Sequence, residues 1–414
     1  MPWLIMTTPL AFSSLVKLIV LTESILEYSF NIIYNTSNYL FIPMHNIHIA
    51  GTGIWHPDNM ITNDELVHSY NSYVDQFNEK NKIEIDNGAI EPMLHSSSDF
   101  IEKASGIETR YVIDKEGTLD TSRMMPRVSN EDENKLSVHA EVGIIAANRA
   151  MEQAGVTASD IDAIIVGTSH AARNYPAVAI EIQSELGING YAYDMLVGCS
   201  STTFAINNAY SDIASGLANT VLVINPEIST PFVNFTHRDK HFIFGDACAA
   251  TVVQKDSNSK HAFKVIDRKL HTQFSNNIRS DYSYLNRCAV DQKTMDELLF
   301  DQNGRSVFKD VCPLVASLIS NQLEKNNINP NDVSKFWLHQ ANGKMIRLIA
   351  SKILNKDDFD PSLIPMPIKQ FGNLASVGSL FAFNLNNDLN PGDIGVICSF
   401  GAGYSICSII VEKI

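Results

Sequence analysis

The sequence has few cysteines, and none of them stands at a spacing typical of a metal site. The six cysteines occur at positions 199, 248, 288, 312, 398 and 407. None belongs to a CxxC or CxxH pair, so we expect no zinc or other metal site. A chain of 414 residues can bury a large core without disulfides. Reduced thiols in a cytoplasmic protein are therefore the favoured interpretation.

A long uninterrupted apolar run is missing as well. The stretch from Leu10 to Phe41 is apolar, but charged side chains interrupt it before the roughly 18 residues that a membrane span needs. Met1 to Leu10 contains no basic residue, which argues against a signal peptide. We predict that translation starts at Met44, that residues 1–43 are an extension that is not made, and that the protein has no stable membrane insertion. A loosely docked or membrane-touching N-terminal helix is the alternative.

Basic residues are in the minority. The chain has 31 Lys and Arg against 46 Asp and Glu, which gives a net charge of −15. Such a surface repels nucleic acids and anionic membranes on average, so neither is an expected partner. An acidic partner would need a local basic patch.

From His45 onward, short β-branched runs alternate with longer helical patterns, which is typical of an α/β protein. Val138 to Gly155 has apolar residues at helical spacing and ends on a glycine suited to a helix C-cap. Ile161 to Val166 is continuously apolar, as expected for a strand that is covered on both faces. Residues 66–98 are polar and poor in strand signals, which predicts a helical insertion or lid.

The two halves of the chain end in similar sequence motifs, which suggests a duplicated fold. Phe244–Ala247 and Phe400–Gly403 each carry a glycine turn that we expect to connect two strands. The segment between the two halves is polar and is predicted to be irregular. The predicted domains are an extension over 1–43, a first half over 44–255, a connecting segment over 256–304 and a second half over 305–414.

Cys199 lies between a strand-like run and a helical pattern, where a thiol can act as a nucleophile. The run Tyr191 to Met195 precedes it, and a helical pattern from Thr203 to Ser215 follows it. We expect the partial positive charge at a helix N-terminus to lower the pKa of this thiol. A buried structural cysteine is the alternative.

Two further polar residues complete a possible catalytic set. His339 follows the apolar run Phe336 to Leu338, and Asn373 follows Gly372 in a sequence that favours a tight turn. Each is more commonly a structural residue when considered alone. Together with Cys199 they suggest acyl chemistry, because the cysteine can hold an acyl group. Two neutral donors can stabilise the enolate that forms when a malonyl group loses carbon dioxide.

Seven motifs carry a resemblance to a known family. They are GTGIWHP at 51–57, SGIETRY at 105–111, DMLVGCS at 194–200, FGDACA at 244–249, HQAN at 339–342, FGN at 371–373 and FGAG at 400–403. In order and spacing they resemble 3-oxoacyl-acyl-carrier-protein synthase III, a branch of the thiolase-like condensing enzymes, from about Met44 to Ile414. The resemblance implies an α/β fold of five layers (αβαβα) in two duplicated halves. It places the family's catalytic Cys, His and Asn on Cys199, His339 and Asn373.

The resemblance also implies where substrates bind. An oxyanion hole would be formed by the backbone N–H groups of Cys199 and Ala402, and Ala402 stands where glycine is common, so it requires a negative φ. Coenzyme A would bind at Phe100, which replaces a tryptophan, and at Arg238, while Ala104 replaces an arginine of the family. For Arg238, a solvated loop cation is the alternative.

Two kinds of protein partner are implied in the same way. The family's basic docking positions for an acidic carrier protein fall on Lys309, Lys344 and Lys352, with Arg347 one helical turn from Lys344. An ordinary mixed-charge helix face is the alternative. Tyr175 matches an aromatic residue that enters the acyl pocket of the partner subunit, which implies a homodimer.

The resemblance predicts an acyltransferase of fatty acid biosynthesis with no permanently bound cofactor. Acyl-coenzyme A would acylate Cys199, and malonyl-acyl-carrier protein would then lose carbon dioxide and condense to 3-oxoacyl-carrier protein. The insertion over 66–98 resembles a branch that is primed by medium-chain acyl groups. A condensing enzyme of alkylquinolone or polyketide starter synthesis and a non-catalytic acyl-binding paralogue are the alternatives.

Overall fold

The structure is a computed structural model that describes residues 46–128 and 135–414. The predicted extension over 1–43 and the predicted start at Met44 lie outside these residues. Within the described ranges, no helix is long and apolar enough to cross a membrane.

The main sheet of the described residues has nine strands. The strands of the chain are β1 (Ile47–Trp55), β2 (Met60–Thr62), β3 (Thr109–Tyr111), β4 (Ala163–Thr168), β5 (Tyr191–Leu196), β6 (Thr220–Glu227), β7 (Ala247–Lys255), β8 (Phe263–Ser275), β9 (Ile278–Arg279), β10 (Asp301–Gln302), β11 (Val333–Leu338), β12 (Ile394–Gly401) and β13 (Gly403–Lys413). The order across the main sheet is β11-β12-β13-β8-β1-β7-β6-β4-β5, while β2 pairs with β3 and β9 with β10. The parallel pairs β4–β5, β4–β6 and β11–β12 lie among antiparallel neighbours.

Helices cover both faces of this sheet. They are α1 (Asn63–Lys80), α2 (Lys82–Asp86), α3 (Ser98–Ser105), α4 (Lys115–Leu119), α5 (Val138–Ala154), α6 (Val178–Leu186), α7 (Ser201–Ala214), α8 (Met295–Leu298), α9 (Gly304–Lys325), α10 (Gly343–Leu354), α11 (Ile368–Phe371) and α12 (Gly378–Leu385). The chain is thus a mixed α/β protein, as predicted.

Strand β4 shows how the first half of the sheet is covered. Ile164 and Val166 belong to one buried cluster with α5 and α6, whereas Ala163 and Ile165 belong to another cluster with α7. Side chains alternate between the two faces of a strand, so a strand that is apolar at every position is buried on both sides. The continuous apolar run therefore predicted the correct environment.

Strands β11 and β12 repeat this arrangement in the second half. Trp337 and Ile397 pack in the same cluster as α7 and α12, while Phe336 and Val396 pack with α9 and α10. Helices α7 and α12 therefore lie between two half-sheets, and α5, α6, α9 and α10 lie outside them. The order helix, sheet, helix, sheet, helix is the five-layered arrangement that was predicted.

The predicted insertion over 66–98 is helical in its first part, where α1 begins at Asn63 and α2 follows, and it is irregular over 87–97. The Thr62 side chain accepts a hydrogen bond from the Glu65 N–H at 3.2 Å, and the Glu65 carboxylate accepts one from the Thr62 N–H at 3.0 Å. This capping box contributes on the order of 1 kcal/mol to the start of α1. Along α1, the Tyr70 ring stacks on His241 with centroids 4.4 Å apart, which holds the insertion against the segment that follows β6.

The prediction of an irregular segment over 256–304 is wrong in its first part. Strand β8 occupies Phe263–Ser275 and pairs with β13 along most of its length. Its second half is largely exposed and therefore polar, so the sequence lacks the apolar alternation of a strand. Pairing with a strand about 140 positions away stabilises β8 instead, and a local pattern cannot reveal such pairing. Through β1, this strand also joins the two half-sheets.

The prediction that Phe244–Ala247 forms a strand–turn–strand is also wrong. Strand β6 ends at Glu227 and β7 begins at Ala247, so no tight turn connects them. Phe244 instead forms an isolated bridge with Asn373. The second predicted turn is confirmed, since β12 and β13 form a hairpin that closes at Gly401 and Ser405.

Candidate active site

Cys199 stands where β5 ends and α7 begins. A short 3₁₀ turn over Gly198–Ser200 connects the two elements, and Gly198 adopts φ +55°, which favours glycine. Helix α7 is packed in the central layer, so the position of the thiol is determined by the core. The Cys199 side chain remains partly accessible.

The predicted triad lines one cavity. Cys199, His339 and Asn373 all border a cavity of about 860 Å³, together with Phe100. Residues 140 and 174 positions from Cys199 are thus brought to the same space by the packing of the two halves. The three residues can act in one reaction only if they border the same cavity, and this condition is met.

His339 is a neutral, buried imidazole at the end of β11. It is 1% exposed, its backbone N–H donates to the Cys398 carbonyl at 2.8 Å, and its ring meets Phe400 edge-on with centroids 5.2 Å apart. Burial lowers the pKa of His339 to about 3. At neutral pH the ring is therefore uncharged and can donate a single N–H without acting as an acid.

The side-chain amide of Asn373 is held in one orientation. Its Oδ1 accepts a hydrogen bond from the Ala375 N–H at 2.9 Å, so its NH₂ group is the part that can serve a ligand. Its backbone is fixed on both sides, because its N–H donates to Ile243 at 2.9 Å and its carbonyl accepts from Gly245 at 3.1 Å. Gly372, with φ +72°, forms the tight turn predicted before it.

The expectation that the Cys199 thiol has a lowered pKa is wrong for the ligand-free protein. Burial raises its pKa to about 12, and the nearby Glu227 carboxylate raises it further, while the backbone N–H groups of Ala402 and Cys199 lower it. Helix termini contribute only about 0.3–2 kcal/mol, less than the desolvation of a thiolate that is enclosed by protein. The resting group is a thiol.

The same two N–H groups are those expected to form the oxyanion hole. Both approach the Cys199 sulfur closely enough to stabilise its negative charge. Ala402 does not adopt a positive φ, which satisfies the requirement for alanine there, and Gly403 takes φ +130°. Gly401 has no room for a side chain, since a Cβ there would lie 2.5 Å from the Cys199 Cβ.

Phe100, which lines the cavity, is in contact with Arg238. The Arg238 guanidinium lies 4.0 Å from the centroid of the Phe100 ring, and its Nε donates to the His95 carbonyl at 2.8 Å. The insertion thus orients this arginine. Ala104 lines the cavity, and Lys103 does not substitute for an arginine there because it pairs with Asp99 on the surface at 3.2 Å.

Exposed cations stand on α9 and α10 beside the cavity. The predicted docking residues Lys309, Lys344, Arg347 and Lys352 are all exposed, and Lys344 borders the cavity itself. Arg305, which the sequence analysis did not single out, borders it as well. The helical spacing was visible in the sequence, but the approach of α9 to α10 was not.

Tyr175 does not line this cavity and is 84% exposed. Strand β5 is at the edge of the main sheet, and its last residue Leu196 is 60% exposed. Ile180 on the neighbouring α6 is 47% exposed. These apolar side chains form a surface around an unpaired strand edge.

Sequence reasoning missed Glu227. This residue ends β6, is 1% exposed, and shares hydrogen bonds with Ser376, three positions after Asn373. The sequence around this glutamate does not predict that it is buried beside the site, because the residues that contact it come from distant parts of the chain.

Comparisons with known proteins agree with this geometry. Residues 193–273 match the family model of 3-oxoacyl-[acyl-carrier-protein] synthase III, and residues 323–413 match the model of its C-terminal part. The chain is similar to a beta-ketodecanoyl-[acyl-carrier-protein] synthase of Pseudomonas aeruginosa, with 46% identity over 83% of this chain and 99% of the relative. It is also similar to a beta-ketoacyl-[acyl-carrier-protein] synthase III of Vesicomyosocius okutanii, with 26% identity over 88% of this chain and 98% of the relative.

Solved structures share the fold. The 3-oxoacyl-[acyl-carrier-protein] synthase III of Aquifex aeolicus superposes with a TM-score of 0.67 at 23% identity, over 89% of this chain and 99% of its own. The priming beta-ketosynthase of the R1128 polyketide pathway superposes with a TM-score of 0.71 at 20% identity, over 90% of this chain and 98% of its own. At these identities the likeness concerns the fold alone, which is the thiolase-like fold.

Proposed function

Since the chain belongs to the 3-oxoacyl-[acyl-carrier-protein] synthase III family of acyltransferases, we propose that Cys199 is its nucleophile and that His339 and Asn373 drive the condensation step. The observation that carries this proposal is the single cavity that all three residues line. The reaction joins an acyl primer to a malonyl unit in fatty acid biosynthesis.

In the first step, Cys199 attacks the thioester carbonyl of an acyl-coenzyme A. The tetrahedral intermediate places a negative charge on the former carbonyl oxygen. The N–H groups of Cys199 and Ala402, which already approach the sulfur, stabilise that charge. Coenzyme A then leaves as the thiol, and the acyl group remains on Cys199.

In the second step, malonyl-carrier protein places its thioester carbonyl between His339 and Asn373. Loss of carbon dioxide moves negative charge onto that oxygen, and two neutral N–H donors stabilise the enolate without protonating its carbon. The low pKa of His339 supports this role, because a charged imidazolium could transfer its proton. The enolate carbon attacks the acyl-cysteine and releases 3-oxoacyl-carrier protein.

We propose a medium-chain primer. The relative from Pseudomonas aeruginosa is named for a beta-ketodecanoyl product, and condensation adds two of those carbons, so the corresponding primer is octanoyl. The helical insertion over 66–98, which orients Arg238 through the His95 carbonyl, favours the same branch.

The first prediction tests the function itself. Purified protein incubated with an equimolar mixture of acetyl-, butyryl-, octanoyl- and lauroyl-coenzyme A should gain the mass of an octanoyl group on Cys199 in preference to the others. Addition of malonyl-carrier protein should then remove that mass and yield 3-oxodecanoyl-carrier protein. Intact-protein mass spectrometry measures both steps. A preference for acetyl would contradict the medium-chain proposal, and the absence of any acylation would contradict the function.

The Phe100–Arg238 pair is proposed as the site for the adenine and phosphates of coenzyme A. An arginine stacked on an aromatic ring that lines the cavity offers a flat cationic surface. A carrier protein brings the same pantetheine arm without an adenine. The two substrates should therefore differ in their dependence on this pair.

The second prediction follows from that difference. Arg238→Ala should raise the KM for octanoyl-coenzyme A about tenfold, which lies between the values of an exposed and a desolvated cation–π contact, and leave the KM for malonyl-carrier protein within about twofold. Lys103→Ala removes a neighbouring cation that is paired on the surface, and it is the matched control. Equal increases of both KM values would show that Arg238 supports the cavity and not the nucleotide.

The carrier protein is proposed to dock on Lys309, Lys344, Arg347 and Lys352. They are exposed on a chain with a net charge of −15, so a local basic surface would select an acidic partner. A KM for malonyl-carrier protein that does not rise with ionic strength would argue against this surface.

We further propose a cytoplasmic homodimer formed at the edge strand β5. Pairing of two such edges would cover the exposed Leu196 and Ile180 and bring Tyr175 of one subunit to the other. Light scattering of the active protein would contradict the dimer if it gave the mass of one chain.

A further inference from the structure

Arg305 is a cation on the wall of the active-site cavity that none of the steps above uses. The cationic side chains of the described residues that border this cavity belong to Lys240, Arg305 and Lys344. Lys240 forms an ion pair with Asp301 at 2.6 Å, and Lys344 is among the residues proposed to dock the carrier protein. Within the described part of the chain, the Arg305 guanidinium forms no ion pair and no hydrogen bond. Its charge is therefore available to a ligand.

The acidic residues of the cavity wall do not neutralise Arg305. The carboxylates of the described residues that border the cavity are those of Asp239 and Asp301. Asp301 pairs with Lys240, and the Asp239 carboxylate lies 3.6 Å from the Arg238 guanidinium. Each carboxylate therefore has a cation of its own, and the charge left over at the cavity is positive. Such a wall attracts an anionic ligand.

Helix α9 places Arg305 at the open part of the cavity. Val307, Phe308 and Val311 of the same helix border the cavity as well. Arg305 and Phe308 are three positions apart and therefore lie on the same face of the helix. The side chains along this wall change from exposed at Arg305 to half-buried at Phe308 and 1% exposed at Val311. The cation thus stands where the cavity meets solvent, whereas the apolar side chains and the buried His339 line its enclosed part.

The two substrates have a matching order of chemical groups. In acyl-coenzyme A and in malonyl-carrier protein alike, the thioester is at one end of a pantetheine arm, and a phosphate is at the other end. When the thioester reaches Cys199 and His339, the arm must leave through the open part of the cavity that these residues share with Arg305. Arginine suits the phosphate, because its planar guanidinium can donate two parallel hydrogen bonds to two phosphate oxygens.

We propose that Arg305 binds the phosphate at the end of the pantetheine arm in both substrates. This inference deepens the proposed function and rests on it. The Phe100–Arg238 pair is the proposed site for the part of coenzyme A that the carrier protein lacks. Arg305 instead serves the phosphate that both substrates carry, so the two arginines differ in the substrates that they affect.

The third prediction separates the phosphate from the rest of the substrate. Octanoyl-pantetheine and octanoyl-4′-phosphopantetheine differ only in that phosphate, and neither contains an adenine or a carrier protein. In the wild type, the phosphorylated compound should acylate Cys199 with the higher second-order rate constant. In Arg305→Ala this advantage should fall about fivefold, as expected for a charge-assisted contact that is exposed to solvent. The rate constant for octanoyl-pantetheine should stay within about twofold. Intact-protein mass spectrometry at one ionic strength measures all four rates.

Two further variants separate a direct contact from long-range attraction. Arg305→Lys keeps the charge and should retain part of the phosphate advantage, although lysine cannot donate two parallel hydrogen bonds. Arg279→Ala is the matched control, because it removes the same charge beside the cavity-lining Ile278. The Arg279 guanidinium does not border the cavity and already donates to Asp281 at 2.8 Å. The proposal fails if Arg279→Ala lowers the phosphate advantage as much as Arg305→Ala does.

The complete substrates distinguish the phosphate site from the carrier surface. Arg305→Ala should lower kcat/KM by about the same factor for octanoyl-coenzyme A and for malonyl-carrier protein. A loss confined to malonyl-carrier protein would assign Arg305 to the docking surface and overturn the proposal. So would a wild type that reacts equally fast with the two pantetheine compounds, or an unchanged phosphate advantage in Arg305→Ala. A wild type that no octanoyl thioester acylates would instead overturn the proposed function.

Discussion

Replacing Cys199 with alanine is expected to abolish condensation, lowering kcat/KM by about 10⁴-fold or more. The thiol is the group that holds the primer between the two half-reactions, and no other described cysteine lines the cavity. Acylation measured by intact mass should disappear completely. Decarboxylation of malonyl-carrier protein should persist, because His339 and Asn373 remain in place to stabilise the enolate.

Cys248→Ala is the matched control for this substitution. Cys248 is a buried thiol on β7 with a pKa raised well above the usual range, and it does not border the cavity. We expect it to retain acylation and condensation within a few-fold, with a moderate loss of stability from the small cavity that it creates. If Cys199→Ala retained the ability to condense an octanoyl primer, the covalent mechanism would be refuted.

The second large effect is expected from Asn373→Asp. The aspartate can preserve the hydrogen bond from the Ala375 N–H to Oδ1, so the turn should remain. It removes the NH₂ donor and places negative charge where the enolate develops. Loss of one oxyanion donor costs about 10²–10³-fold, and the added charge should make the aspartate slower in condensation than Asn373→Ala.

Acylation of Cys199 distinguishes this explanation from general damage. In both Asn373 variants, octanoyl transfer to Cys199 should stay within a few-fold of the wild type, because the N–H groups that serve that step belong to Cys199 and Ala402. Asn342→Asp is the control for charge in the same cavity: it keeps the cap at the start of α10 and loses the hydrogen bond from the Asn342 amide to the Ala104 carbonyl, so its folding is checked alongside. Equal loss of both half-reactions in Asn373→Asp would show that Asn373 only maintains the cavity.

The pH behaviour of the active site follows from two opposite shifts. Burial lowers the pKa of His339 and raises that of Cys199, so both groups are neutral over the physiological range. The pKa of the His339 imidazole is lower in the folded state than the value of about 6.5 in the unfolded state. Protonation therefore favours the unfolded state, and the folded state loses stability as the pH falls below about 6.5. The donors of the condensation step are therefore unchanged near neutrality.

Local sequence patterns determined much of the secondary structure correctly. Gly155 ends α5 in the left-handed conformation, as its sequence position predicts. The continuous apolar run before Val166 corresponds to a strand buried on both faces. In each case the element is stabilised either by contacts between residues close in sequence or by burial of a face whose apolar residues can be read from the sequence.

Tertiary structure decided the features that depend on distant partners. Strand β8 forms because β13 pairs with it, although its own sequence is polar. Arg238 contacts Phe100 while its Nε donates to the His95 carbonyl of the insertion, and all three residues are distant in sequence or belong to different elements. The direction of the Cys199 pKa is the clearest case, since the sequence shows the helix start but not the enclosure by both halves or the carboxylate of Glu227.

The sequence by itself therefore determined the family, the order of the elements and the identity of the three polar residues that line the cavity, because these reside in motifs of adjacent residues. The tertiary structure decided which of those residues are neutral and which surfaces of the chain remain uncovered. Charge stabilisation depends on distance and on the exclusion of water. Both quantities arise only when segments more than a hundred positions apart pack around one space.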